Sequence, residues 1–541
     1  MKKIISSLIV FLGFANIFAS TYVIKNVEYN IIGSTREYAL KTKVPIDFKR
    51  EFKNENELMT YIKDVKKQIE NTRNFDSVDV DFTVLNNQEE QNSSTETENA
   101  VTEEKENDKY DVILKITVDD SFHLIATPYP KYSSGDSLSI SIKAKDTNFL
   151  GSMETLTADG NFKVELDEDD NPDAYLLGLG FDFETPFQMG QFDAVWGNEI
   201  EFSYTFGEST PEWDLDTNLE LTKKFDKFSF VTKFSQIFNR DLDYEEEKLN
   251  GETVHYGDGT YFGEKIDFSI PITIQEIDNW GKIYYTPFFE GTYYWDFDGI
   301  NDKNEDLRGP SISFGQTLST GRINWIENFR NGLEASITSS FGYNFAVYDF
   351  IPSISGELKA YKAFNRFAFC ADIYGFAKMN GTYSFGDRLR GIRTDQYFSN
   401  KVYEKDEDFP KTYKSTKSTA GLIINIDVPI RICRIYWEQV PVIQKIKFAK
   451  YFDMEVQLSP FVDLALFHNK GADSTFNPKD GFFSGGLEAI VYPLRWKGIQ
   501  VRGSFGVDLS RKMPKASSFF NQDWRDNTKS YEISIGIGLH Y

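Results

Sequence analysis

The residue with the most pointed chemistry in this chain is an arginine between a leucine and a glycine. It is Arg390, in the stretch GDRLRGIRTDQYF, residues 386–398. A guanidinium is a rigid fork of donors that can grip two carboxylates at once. Two carboxylates follow on text with strand periodicity. In GLIINIDVPI the even residues Leu422, Ile424, Ile426, Val428 and Ile430 are apolar, which sets Asp427 on the opposite face. In MEVQLSPFVDLALF the even residues Met454, Val456, Leu458, Val462, Leu464 and Leu466 are apolar, and Asp463 is again odd. If the loop folds against those strands, Arg390 pairs with both Asp463 and Asp427. Gly386 and Gly391 would allow the tight backbone this needs. The alternative is three ordinary polar groups solvated by water.

Two cysteines flank the same region. Cys370 lies near the start of the strand before the loop, and Cys433 near the end of the strand after it. If Asp372 faces the lumen, so does Cys370, and parity puts Cys433 there with Asp427, so a cross-strand disulfide could form in an oxidising compartment. Two buried thiols are the other reading. The four histidines, 123, 255, 468 and 540, are scattered, and no HExxH, P-loop, CxxC or GxSxG occurs. Neither metal nor nucleophilic catalysis is expected, and no cofactor.

The elements that must position these residues read as β structure. Among 541 residues there are 48 Phe, 29 Tyr and 37 Gly, and the net charge of -24 argues against a nucleic-acid partner. Such an acidic balance keeps exposed loops soluble. Lys2 and Lys3, the apolar run Ile4 to Phe14 and the following NIFAS form an export signal, residues 1–19, with cleavage expected after Ala19. No later apolar run is long enough for a spanning helix. If the exported chain enters a membrane, it must do so as a closed barrel, because only helices and closed barrels satisfy every backbone group in lipid.

The mature text has two parts. Residues 20–119 read as β-α-α-β-β. A strand, TYVIKNVEYNII, is broken by Gly33. A short helix follows with Ser34 or Thr35 as N-cap. A longer helix carries Leu58, Ile62, Val65 and Ile69 at helical spacing, and two strands complete the unit. Between those strands, residues 86–109 are polar, acidic and aperiodic, and read as a disordered loop. From Phe122 to Tyr541, strand after strand alternates, as in LSISIKAK (Leu138, Ile140, Ile142, Ala144) and KIDFSIPITI (Ile266, Phe268, Ile270, Ile272, Ile274). A soluble sandwich would turn the apolar face inward, and a membrane barrel would turn it to lipid. The export signal, the aromatic strand ends (TYYWDF, RIYWEQ) and the aromatic last residue favour a membrane β-barrel of about 16 antiparallel strands, with 16 to 18 candidate strands in the text.

At this point the chain resembles the outer-membrane protein assembly-factor superfamily: the BamA/TamA-type barrels and their two-partner-secretion relatives. The first part is similar to one polypeptide-transport-associated (POTRA) domain, with NTRNFDSVDV leading out of the second helix. TNFLG, with Asn148, Phe149, Leu150 and Gly151, is similar to the family's turn after the second barrel strand. Arg388, Leu389, Arg390, Gly391 and Ile392 resemble its loop-six motif, with Ile392 where an aromatic is usual. INIDVPI and SPFVDLALF follow as the next two strands, and five candidate strands follow the motif. Asp427 stands where the family usually has Glu.

The resemblance implies an outer-membrane barrel with a periplasmic N-terminal domain that assists insertion or translocation of other proteins. The expected partners are unfolded outer-membrane or secreted polypeptides, the lipid bilayer and periplasmic accessory proteins. A passive pore or structural surface barrel, and a dedicated secretion transporter, are the alternatives. On the closing strand, Ser534, Gly536, Leu539 and Tyr541 have the spacing of a C-terminal barrel-assembly signal. Gly536 and Gly538 would either weaken pairing at the barrel seam or accommodate curvature.

Overall fold

In the computed structural model, the described residues are 21–85, 109–133, 137–166, 172–207, 211–240, 247–249, 252–254, 261–296, 310–345, 348–380, 383–392, 417–441, 443, 449–469, 474–479, 481–509 and 531–537. The expected export signal, residues 1–19, and residues 86–108 of the acidic loop lie outside them. The chain divides into two compact units, Met1–Asp120 and Ser121–Tyr541.

The first unit runs β1 (Thr21–Ile32), α1 (Glu37–Lys43), β2 (Glu51–Phe52), α2 (Glu55–Asn71), β3 (Phe75–Leu85) and β4 (Lys109–Asp120). The sheet order is β2-β1-β4-β3, with β1 and β4 parallel. The apolar stripe of α2, Leu58, Ile62, Val65 and Ile69, is buried together with Val112, Leu114, Ile116 and Val118 of β4. Asn54 caps α2 by accepting the amide of Glu57 at 2.9 Å. The short β2 has no signal in the sequence. The expected cap of α1 is corrected: its N-cap is Arg36, without a side-chain bond. Ser34 and Thr35 serve Asp120 instead, whose carboxylate accepts both their amides (2.7 and 2.9 Å) and the Thr35 hydroxyl (2.8 Å). A long-range carboxylate outcompetes the local cap. Lys109, read as the end of the acidic loop, is the first residue of β4 and pairs with Thr21.

The second unit is a closed antiparallel barrel. Its wall runs β5 (Leu124–Ser133), β6 (Ser137–Asp146), β7 (Leu156–Leu166), β8 (Pro172–Met189), β9 (Phe192–Thr205), β10 (Glu212–Lys224) and β11 (Ser229–Arg240). It continues as β12 (Tyr261–Ser269 with Ile272–Ile277), β13 (Gly281–Asp296), β14 (Ser311–Ile326), β15 (Phe329–Asn344), β16 (Asp349–Ala363) and β17 (Ala368–Lys378). It closes through β18 (Ala420–Asp427 with Ile430–Ile435), β19 (Met454–Asn469), β20 (Ser474–Thr475 with Phe482–Pro493), β21 (Val501–Asp508) and β22 (Tyr531–Ile537), which neighbours β5. Two of the strands break at Pro271 and Pro429, where the missing N–H cannot join the ladder. Among the described residues the wall therefore counts eighteen strands, at the top of the range of candidates.

Alternation sets the faces. Ile140, Ile142, Phe341, Ile354, Val462 and Ile533 are all exposed on the outside, and the odd residues of β19 from Glu455 to Phe467 are buried on the inside. Connections at the mouth where β5 begins, called proximal here, are mostly tight, such as 190–191, 327–328 and 364–367. Most of the long ones, such as 241–260, 297–309 and 379–419, are distal, and 436–453 is a long proximal one.

Candidate functional site: a loop pinned inside the barrel

Between β17 and β18 the described part of the distal connection, residues 383–392, turns into the lumen. Arg390 is only 4% exposed. Its Nε donates to Asp463 Oδ2 at 2.9 Å and its Nη2 to Asp463 Oδ1 at 2.7 Å, a two-pronged grip. Its backbone amide donates to the same Oδ2 at 3.0 Å. The other edge of the guanidinium takes Asp427, through Nη1 at 2.7 Å and Nη2 at 3.2 Å. The flat face lies 3.8 Å from the ring centre of Phe461. The two expected carboxylates are thus brought to one arginine, in a place dry enough for a lost partner to be costly.

Gly391 explains how the backbone comes so close. Its φ is +76°, and a Cβ there would sit 2.5 Å from the Gly506 carbonyl carbon on β21. A Cβ on Gly506 would in turn meet Gly391 Cα at 2.6 Å. Two glycines facing each other let the loop lie directly on the wall. The Gly391 amide then donates to Glu532 Oε2 of β22 at 2.9 Å, so the loop also touches the strand that closes the barrel.

The rest of the loop is held by packing. Leu389 and Ile392 join Phe385, Phe376, Ile423, Ala465, Phe467 and Phe482 in a buried cluster. Arg388 stands 3.9 Å over the Tyr374 ring and pairs with Glu357 at 3.2 Å. Its carbonyl accepts from Asn425 Nδ2 at 2.8 Å. Glu488 lies 3.9 Å from Arg390 and is taken mainly by Arg502 at 2.8 Å.

Sequence reasoning missed Phe461, Gly506, Glu532 and the apolar cluster. A signal for part of this exists: Phe461, Ala465 and Phe467 share the odd parity of Asp463, so apolar groups occupy a face expected to be polar. Something had to cover them.

Other expected sites fall elsewhere. Asn148, Phe149, Leu150 and Gly151 build a turn at the proximal mouth, where buried Asn148 accepts the Met153 amide and donates its own amide to Asp146, both at 2.9 Å. They are not part of the pinned loop. The disulfide expectation is corrected. Both cysteines are free. Register slips between Arg431 and Cys433 on β18. This bulge reverses parity, so Cys433 is exposed beside Val456, an outward residue, while Cys370 pairs with Asp427 across β17 and β18. In the closing strand Ser504 opposes Ser534 and Arg502 opposes Gly536; Leu539 and Tyr541 lie outside the described residues.

Taken together, a closed wall, an apolar outer face and an inward loop pinned by a buried arginine define a membrane β-barrel with an internally braced loop. No family model and no curated protein matches the sequence. Among solved structures the chain is similar to CdiB from Acinetobacter baumannii, at 13% identity and a TM-score of 0.48, over 97% of this chain and 74% of that one. It is also similar to BamA from Haemophilus ducreyi lacking POTRA domains 1–3, at 12% identity and a TM-score of 0.38, over 96% and 84%. CdiB from Escherichia coli aligns at 9% identity and a TM-score of 0.37, over 97% and 92%.

Proposed function

We propose that this protein is an outer-membrane barrel that assists insertion or translocation of other polypeptides, with its N-terminal unit in the periplasm. The observation that carries the reading is the bond from Gly391 to Glu532. It ties the pinned loop to the last strand, so the geometry of the seam between β22 and β5 depends on a loop as well as on the wall. A seam strand held in this way can offer its edge to an incoming unfolded strand, since an open strand edge is a template for pairing. In the N-terminal unit β3 is an edge strand and can hold an extended segment by the same pairing. Proximal turns that are mostly tight and distal connections that are mostly longer match periplasmic and extracellular ends respectively. The partners are unfolded outer-membrane or secreted chains, the bilayer and periplasmic accessory proteins.

The test is depletion of the protein followed by mass-spectrometric quantitation of other barrels in isolated outer membrane. A broad fall in those barrels is the expected result. Unchanged levels would remove the insertase reading and leave a dedicated secretion transporter or a passive barrel. One observation favours a transporter: on β8–β10 the inner wall carries exposed carboxylates such as Asp182, Glu199 and Glu201, as a polar passage would require.

A further inference from the structure

At the proximal mouth, the hairpin of β14 and β15 ends in a two-residue turn, Glu327-Asn328. That turn reaches past two strands to the inner side of β18 and β19. Glu327 accepts from Arg431 and, at 2.6 Å, from Arg434 of β18. Both arginines also take the fully buried Glu455 of β19, at 2.9 and 2.7 Å. Gln457 donates to the Asn328 carbonyl at 3.3 Å, and Arg431 covers the Phe329 ring at 5.0 Å. Arg434 can face Glu455 because of the same bulge that turns Cys433 outward.

The hairpin bends at two glycines. Gly321 and Gly332 have φ of +97° and +142°, and a Cβ on either would lie 2.0 to 2.2 Å from a carbonyl oxygen of the opposite strand. L side chains rarely adopt such backbone. Beyond this bend, Trp325, Phe329 and Arg330 line one side of a cavity of about 40 Å³, and Asp427 and Glu488 line another. The space suits one or two waters and nothing larger. The hairpin tip and the Arg390 loop therefore close the same part of the lumen from opposite mouths.

We propose that the β14–β15 tip, residues 322–331, is a hinged gate over the β15–β19 side of the proximal mouth, latched by Glu327 to Arg431 and Arg434. The hinge is the glycine pair. The latch is polar, and the Glu327 side chain is 52% exposed, so water can replace its partners when it opens. An apolar staple would have no such route. This gate holds for any traffic through the lumen and does not rest on the insertase reading.

The experiment is current through the purified full-length barrel in planar bilayers. Glu327→Gln is expected to raise the open-to-closed ratio about fivefold, the effect of losing a partly exposed ion pair. A second protein carries Glu327→Cys and Arg434→Cys in a Cys370→Ser, Cys433→Ser background. Bridged by a disulfide-containing bis-maleimide long enough to span the two side chains it replaces, it is expected to stay closed. Reduced in the same membrane, it is expected to conduct like Glu327→Gln. Each molecule is then its own control, so the result holds even where Glu327→Gln lacks the heat-modifiable migration of a folded barrel. Identical currents before and after reduction would overturn the gate and leave the tip a structural brace.

Discussion

The inner wall of this barrel has two contrasting sectors. On β18–β20, the lumen-facing residues Asn425, Asp463 and Ser484 lie side by side in register and are buried. On β8–β10, Asp182, Glu199 and Asp216 lie side by side in the same way, with Glu201 opposite Asp214 in the next lumen-facing row. Asp182, Glu199, Glu201 and Asp214 there are exposed. Like charges directly opposite one another are unfavourable and persist only with water to screen them. Both sectors have the same alternation and the same apolar outer face. The difference is the loop, which brings one arginine for two carboxylates and apolar side chains for Phe467, Phe482 and Ile423. Strand parity decides which way a carboxylate points. What the chain lays over it decides whether it is dry and paired with a cation or left to water beside like charges.

The sharpest way to break this contrast is Arg390→Ala. It leaves Asp463 and Asp427 without their shared cation in a buried site, a loss of about 3–5 kcal/mol. Urea unfolding in detergent or lipid should show it, and Arg390→Lys should recover only part, because an ammonium cannot reproduce the fork. A wild-type midpoint for Arg390→Ala would mean that water already fills the site. Next is Gly506→Val, which leaves every charge in place and forces the loop off β21. Overpacking of this kind costs about 1–3 kcal/mol, and protease cleavage within 386–392 should speed up. Asp427→Asn keeps the shape of the weaker partner, whose side chain is 17% exposed. A loss of about 1–2 kcal/mol is expected, smaller than for Asp463→Asn in the same assay. The smallest effect belongs to the wet sector. Glu199→Gln removes the middle of three like charges and should stabilise the barrel by about 0.2–1 kcal/mol, with lower cation preference in bilayer current. A large destabilisation there would show that the wet sector is also a packed one.

Much of this contrast was legible beforehand. The face of Asp427 and Asp463 followed from parity, as did the outward set on β18 and β19, because a two-residue period leaves only two sides. The helix α2 was legible for the same reason at its own period. Three things were not. Ser34 and Thr35, the expected caps of α1, went to Asp120, 86 positions from Ser34, and no local pattern carries that distance. Cys433 turned outward because one bulge reverses everything after it; its one trace in IRICRI is that the charged residues pass from odd Arg431 to even Arg434, which parity carried straight through the strand overlooks. The apolar cover over Phe467 and Phe482 was visible only as an inconsistency, apolar residues on a face expected to be wet.

The sequence by itself determined that this chain is strand-built, that its strands carry one apolar face, and that two aspartates share the opposite side. Those properties follow from period and composition, which act over a few residues. Only the tertiary structure decided the eighteen-strand closure, the pairing of Arg390 with Asp463 and Asp427, and the contact of Gly391 with Gly506 and Glu532. Each of these joins residues far apart in the chain, and their energies exist only once the wall has curved and the loop has met it.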